Sequence, residues 1–64
     1  MSATATDHMD VEAATWQDAE DKAMRRWADS GCAVLLFTSS VPIHGRPGWF
    51  RVTAVVRLYV GAQA

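Results

Sequence analysis

The sequence predicts an α+β fold in which one helix packs on a small antiparallel sheet with a long C-terminal strand. Three segments predict it: a helical pattern in the first half, an apolar stretch at 32–39 and a strictly alternating stretch at 49–60. The chain has 64 residues, enough for one domain at most. We expect that domain to span 10–61, with 1–9 as a flexible tail or a short edge strand and 62–64 as a second tail.

The helix is predicted from apolar residues that recur every three or four positions. They are Trp16, Ala19, Ala23, Trp27 and Ala28. Either Asp10 or Thr15 can cap the N-terminus, because each side chain can accept a hydrogen bond from a first-turn backbone N–H. Gly31 suits the left-handed conformation that commonly follows a helix. We expect Trp16 and Trp27 to lie in the core or in a subunit interface.

Two strands are predicted after the helix. Residues 32–39 are apolar on both alternating faces through Phe37, which predicts a strand covered on both sides. Residues 40–48 contain two prolines and two glycines and are expected to form a loop. Residues 49–60 have one wholly apolar face and span about 40 Å at about 3.3 Å per residue. We expect the excess length of this strand to pair or pack with another copy.

Self-association is predicted from the small size of the chain. In so short a chain, apolar burial of about 25 cal/mol per Å² barely offsets an ordering cost of roughly 1.5 kcal/mol per residue. Cys32 is the single cysteine, so an internal disulfide is impossible, and no residues have the spacing of a metal site. The first 29 residues carry a net charge of −4 and the last 35 carry +3, which suits contacts between copies. We therefore expect a homo-oligomer without a metal.

Composition also excludes several classes of function. No apolar run approaches the roughly 20 residues of a membrane-spanning helix, and the first residues lack the pattern of a signal peptide, so we expect a cytoplasmic protein. A net charge of −1 argues against nucleic acid as a partner. Neither a nucleophile with a base nor a pair of catalytic carboxylates can be recognised, so we expect a non-catalytic protein.

Short motifs resemble the dodecin family. Thr15-Trp16-Gln17-Asp18-Ala19, continued by Ala23, resembles the start of the dodecin helix, and Phe50-Arg51-Val52-Thr53 resembles the opening of its last strand. The resemblance implies a shell of twelve subunits that stores a flavin. Cys32 falls where dodecins place a tryptophan that stacks on the flavin, and Arg51 falls where they place a glutamine that hydrogen-bonds the flavin ring.

The candidate binding residues lie on the second face of the long strand. Trp49, Arg51 and Arg57 share this face, and aromatic rings with guanidinium groups bind planar anions by stacking and charge-assisted hydrogen bonds. The same residue types are enriched in subunit interfaces, so the face equally fits a contact between copies. The resemblance adds Cys32. We therefore expect an oligomer that binds a planar or anionic small molecule, with a flavin as the candidate cofactor. The alternative is a structural or adaptor protein that pairs with itself or with a protein partner by β-strand addition.

Overall fold

The computed structural model describes residues 3–58, which form one helix and a three-stranded sheet. The elements are β1 (Ala3–Glu12), α1 (Trp16–Asp29), β2 (Cys32–Pro42) and β3 (Trp49–Leu58). All pairing is antiparallel and the strand order is β1-β3-β2. The predicted α+β fold is confirmed. Residues 59 and 60 of the predicted last strand, and the predicted tail at 62–64, lie outside the described residues.

The N-terminal segment is an edge strand. β1 pairs with β3 over ten residues without interruption, from Ala3 opposite Leu58 to Glu12 opposite Trp49. The boundary expected between residues 9 and 10 therefore falls inside β1. Most residues of this strand are small or polar, so its strand preference is weak and its pairing with β3 stabilises it.

The helix begins and ends at residues that the sequence indicates. The Thr15 side chain accepts a hydrogen bond from the Asp18 backbone N–H at 3.2 Å, so Thr15 is the N-cap, whereas Asp10 lies in β1. Gly31 follows the C-cap with a φ of +84°, a conformation that favours glycine. The predicted stripe is buried in its middle, but Trp16 and Ala28 at its two ends are exposed.

β3 is the central strand and has the predicted alternation. Val52, Ala54 and Val56 face the helix and are buried, while Arg51 and Arg57 on the other face are exposed. Because Phe50 to Leu58 pairs with a strand on each side, these residues cannot pair with another copy. The expectation that β3 itself adds to a neighbouring sheet is therefore wrong along this segment. Among the described strands, β1 and β2 have the unpaired edges that strand addition needs.

β2 is longer and more exposed than predicted. It continues to Pro42, so the turn between β2 and β3 is limited to 43–48. The expectation that both of its faces are covered is wrong within the single chain, since Leu35 and Leu36 are exposed. The register with β3 shifts between Val34 and Leu36 and again between Phe37 and Ser39. These irregularities bend the outer edge of the sheet.

Three hydrogen bonds fix the helix on the sheet. The Trp27 indole Nε1 donates to Asp7 Oδ2 at 3.0 Å, and the Lys22 Nζ donates to the Glu12 carbonyl at 2.7 Å, both on β1. On the other side of the helix, the Ser40 hydroxyl of β2 donates to Glu20 Oε2 at 2.6 Å. The helix therefore lies across one face of the sheet, with the Glu20 side directed toward β2 and the Lys22 side toward β1.

The core between helix and sheet consists mainly of small side chains. Its buried residues are Val11, Ala13, Ala19, Ala23, Trp27, Val52, Ala54 and Val56. Half of them are alanine, and Trp27 is the one large side chain among them. Alanine allows the helix to approach the sheet closely but removes little apolar surface from water, so this core contributes little stabilisation for each ordered residue.

Candidate ligand site on the open sheet face

The side of the sheet opposite α1 is uncovered within the described chain, and we call it the open face. Because successive side chains of a strand alternate, β3 places Trp49, Arg51 and Arg57 there. The antiparallel register places Asp10 of β1 opposite Arg51. The sequence prediction that these three β3 residues share one face away from the helix is therefore correct.

At the Trp49 end of the open face, two arginines converge on one carboxylate. Arg51 donates to Asp10 through Nε at 2.9 Å and through Nη2 at 3.3 Å. Arg46 Nη1 lies 3.7 Å from Asp10 Oδ2, and the Arg46 guanidinium lies 4.2 Å from the centroid of the Trp49 ring. We call Asp10, Arg46, Trp49 and Arg51 the Trp49 cluster.

The turn between β2 and β3 brings Arg46 to Trp49. The Arg46 N–H donates to the Ile43 carbonyl at 3.1 Å, and the Trp49 N–H donates to the Arg46 carbonyl at 3.1 Å. Gly45 and Gly48 both have a φ near +80°, which lets the chain reverse within six residues. The turn therefore folds the Arg46 side chain back over the first residue of β3.

The two arginines of the Trp49 cluster are held differently. The hydrogen bond from Arg51 lowers the pKa of the Asp10 carboxyl below its usual value, and the same hydrogen bond raises the pKa of Arg51. Arg51 is thus committed to Asp10 through two donors. The Arg46 contact with Asp10 exceeds hydrogen-bond distance, so fewer of the Arg46 donors than of the Arg51 donors are engaged by that carboxylate.

The structure brings together only two of the four predicted site residues. Trp49 and Arg51 are neighbours, but Arg57 lies six residues further along β3, about 20 Å from Arg51. Cys32 pairs with Leu58 at the opposite end of the sheet and packs partly buried against the core on the helix side. Within one chain, therefore, Cys32 and Arg51, which align with the dodecin flavin contacts, do not form a common site.

Sequence reasoning missed Asp10 as a member of this site and did not join Arg46 to Trp49. Asp10 lies 41 positions before Arg51, and no local pattern indicates that the two side chains meet. The alternating signal of β3 identifies its exposed face, but the pairing partner of that face depends on the strand order. Arg46 lies in a segment rich in glycine and proline, where the turn geometry decides the direction of each side chain.

Residues 3–58 contain neither a cluster of metal-ligating side chains nor a membrane-spanning helix. That range contains no group of three or more His, Cys, Asp or Glu side chains suited to hold a metal ion. The helix of the described segment is neither long nor apolar enough to cross a membrane.

Comparison with known proteins adds no relative. No protein-family model, curated protein or solved structure matches the chain. The resemblance to dodecins thus stays a prediction that depends on the short motifs alone, and the function has to be inferred from the geometry of the chain itself.

Proposed function

We propose that the chain is a non-catalytic subunit that self-associates and binds a planar, anionic small molecule at the Trp49 cluster. The observation that carries the proposal is the stacking of Arg46 on Trp49 beside an arginine already bound to Asp10. An aromatic ring and an accessible guanidinium at the same position provide a stacking surface and donors for an anion.

In this proposal the anion is bound by Arg46 and not by Arg51, which the sequence predicts for this role. Arg51 directs two of its five N–H donors to Asp10, whereas Arg46, which is half exposed like Arg51, has no short hydrogen bond to that carboxylate. A planar ring system would stack on the Trp49 indole or on the Arg46 guanidinium, and its phosphate or carboxylate would accept hydrogen bonds from Arg46. Flavin mononucleotide has both features, and so does adenosine 5′-monophosphate.

Self-association is supported by the small core. Four of its eight buried residues are alanines, so the helix and sheet bury little apolar surface for a domain of this length. Small domains without disulfides or metals gain the missing stabilisation by oligomerisation. In the assembly, the open face of one copy would be partly enclosed by its neighbours, which would shield a bound ligand from water.

The first experiment is native mass spectrometry on protein purified without refolding. It reports the number of subunits and any retained ligand in one measurement. We expect an oligomer that either carries extra mass or takes up flavin mononucleotide or adenosine 5′-monophosphate in a calorimetric titration. A monomer, or an oligomer that binds neither probe, would contradict the proposal.

A pair of arginine variants localises the site. Arg46→Ala removes the guanidinium that stacks on Trp49. Arg57→Ala removes an exposed arginine that lies on the same face of β3 as Trp49, eight residues further along the strand. A charge-assisted hydrogen bond contributes about 1.5–3 kcal/mol, so Arg46→Ala should weaken binding of the probe by roughly tenfold or more. Arg57→Ala should leave it unchanged. Equal losses in both variants would show general attraction of the anion to positive charge.

A second function, as an adaptor that accepts an extended strand, is favoured by the regular edge of β1. This strand pairs with β3 without a bulge and has no strand on its other side within the described residues. An unbroken edge presents backbone donors and acceptors at the spacing that a strand from another protein needs. Hydrogen exchange tests it: the β1 amides that point away from β3 should become protected only when a partner protein is added.

A further inference from the structure

The large apolar side chains that α1 and the sheet leave exposed lie around one edge of the molecule. They are Trp16, Met24, Leu35, Leu36 and Val41, each between 44% and 60% exposed. Three belong to the edge strand β2, and two belong to the helix. We call these five residues the β2-edge strip.

The helical members of the strip face the β2 side of the molecule. Trp16, Glu20 and Met24 are four residues apart and therefore lie in one row along the helix. Glu20, in the middle of this row, accepts the hydrogen bond from Ser40 of β2. The row with Lys22 lies on the opposite side and reaches β1 instead. Trp16 and Met24 therefore border β2.

The positions along the two elements also match. Four helical residues span about 6 Å, the length of about two strand residues. The hydrogen bond places Glu20 beside Ser40 along the direction of β2. Trp16 then lies beside the strand near Val41, and Met24 lies within one or two strand residues of Leu36. The strip thus passes around the β2 edge, from the helix side to the open face, as a continuous apolar surface.

The β2 edge itself is poorly suited to strand addition. Its two register shifts interrupt the regular spacing of backbone groups, and the strand ends at Pro42, which lacks an N–H. Natural proteins use such irregularities to prevent pairing between sheet edges. An occupant of this edge must therefore pack against side chains and not extend the sheet.

We propose that the β2-edge strip is the surface through which two copies of this chain associate, an inference that rests on the self-association proposed above. A core this small leaves the single folded chain only marginally stable, so the fold gains most from an occupant that is present at all times. A second copy meets this condition, whereas a transient partner does not.

The arrangement of charge and apolar groups fits a second copy. A two-fold axis parallel to β2 would place the helix side of each strip against the open-face side of the other, at the same level along the strand. Trp16 would then meet the partner's Val41, and Met24 would approach the partner's Leu36. Glu20, the one acidic residue in the row with Trp16 and Met24, would come level with Arg51 of the partner subunit, on a strand without acidic residues.

Lysine substitutions at two residues in the same register test the proposal. Leu36 and Thr6 both lie opposite Val55 and are both exposed, but Leu36 is on β2 and Thr6 is on β1. Leu36→Lys should raise the concentration at which the oligomer half dissociates by more than tenfold, because it places a charge in an apolar contact. Thr6→Lys should leave this concentration unchanged. Met24→Lys, on an exposed helix position, tests the strip independently of the sheet.

Analytical ultracentrifugation over a concentration series, with circular dichroism to verify folding, distinguishes the outcomes. Dissociation by Leu36→Lys and Met24→Lys, with an intact Thr6→Lys oligomer, supports the strip. If Leu36→Lys does not fold, the result for Met24→Lys decides. If the wild type is an oligomer and both strip variants still form it, the strip is not the interface, although self-association stands. The same conclusion follows if Thr6→Lys dissociates the oligomer. A wild-type chain that is monomeric at every concentration overturns self-association itself.

Discussion

Removing the carboxylate of Asp7 should destabilise the fold through the largest residue of its core. Trp27 is 2% exposed, and its indole N–H donates to Asp7 Oδ2 at 3.0 Å. Asp7→Ala leaves that donor without its protein acceptor. A hydrogen bond to a charged group contributes about 1.5–3 kcal/mol, but Asp7 is exposed and water can replace it, so we expect a loss of about 1 kcal/mol.

The same contact makes stability depend on pH in a defined direction. The hydrogen bond from Trp27 is the largest cause that lowers the pKa of the Asp7 carboxyl. A carboxyl with a lowered pKa in the folded state stabilises the fold above its ordinary pKa of about 4. That stabilisation is lost as the pH falls through the lowered value. The difference between wild type and Asp7→Ala should therefore be largest near neutral pH and shrink below about pH 4.

Urea denaturation followed by tryptophan fluorescence measures both effects. With a slope near 1 kcal/mol per molar urea, a loss of about 1 kcal/mol moves the midpoint by about 1 M at pH 7. All samples need the same protein concentration, because association shifts the apparent stability. Asp7→Asn, whose amide oxygen can still accept from Trp27, should lose less. The reasoning is refuted if Asp7→Ala matches wild type at pH 7, or if its deficit is the same at pH 3.

Two further predictions concern the ends of the helix. Thr15→Ala removes the acceptor of the Asp18 N–H and should cost about 1 kcal/mol of unfolding free energy in urea, whereas Thr15→Ser, which retains the hydroxyl, should be near wild type. Gly31→Ala should also cost about 1 kcal/mol, although an added Cβ would contact nothing within 4 Å. The cause would be the φ of +84° alone, so an unchanged unfolding midpoint would contradict a strained turn at this position.

The local elements were predictable where one periodicity dominates. The alternation of β3 identified its buried and exposed faces, and the Thr15 and Gly31 positions marked the ends of the helix. β1 was harder to predict, because most of its residues are small or polar and its partner β3 lies far along the chain. The extent of β2 was also missed, since Val41 and Pro42 resemble a loop in sequence but pair with β3 in the sheet.

The sequence by itself determined the type of each main element and the face of β3 that enters the core, and it predicts a need for stabilisation beyond a single chain. Those properties depend on periodicity and length, which are local or additive. Only the tertiary structure decided that β3 is central, that Asp10 meets Arg51 and that the exposed apolar residues gather around β2. Strand order joins residues that are distant in the chain, and no local pattern encodes that order. The candidate site and the proposed interface both depend on it.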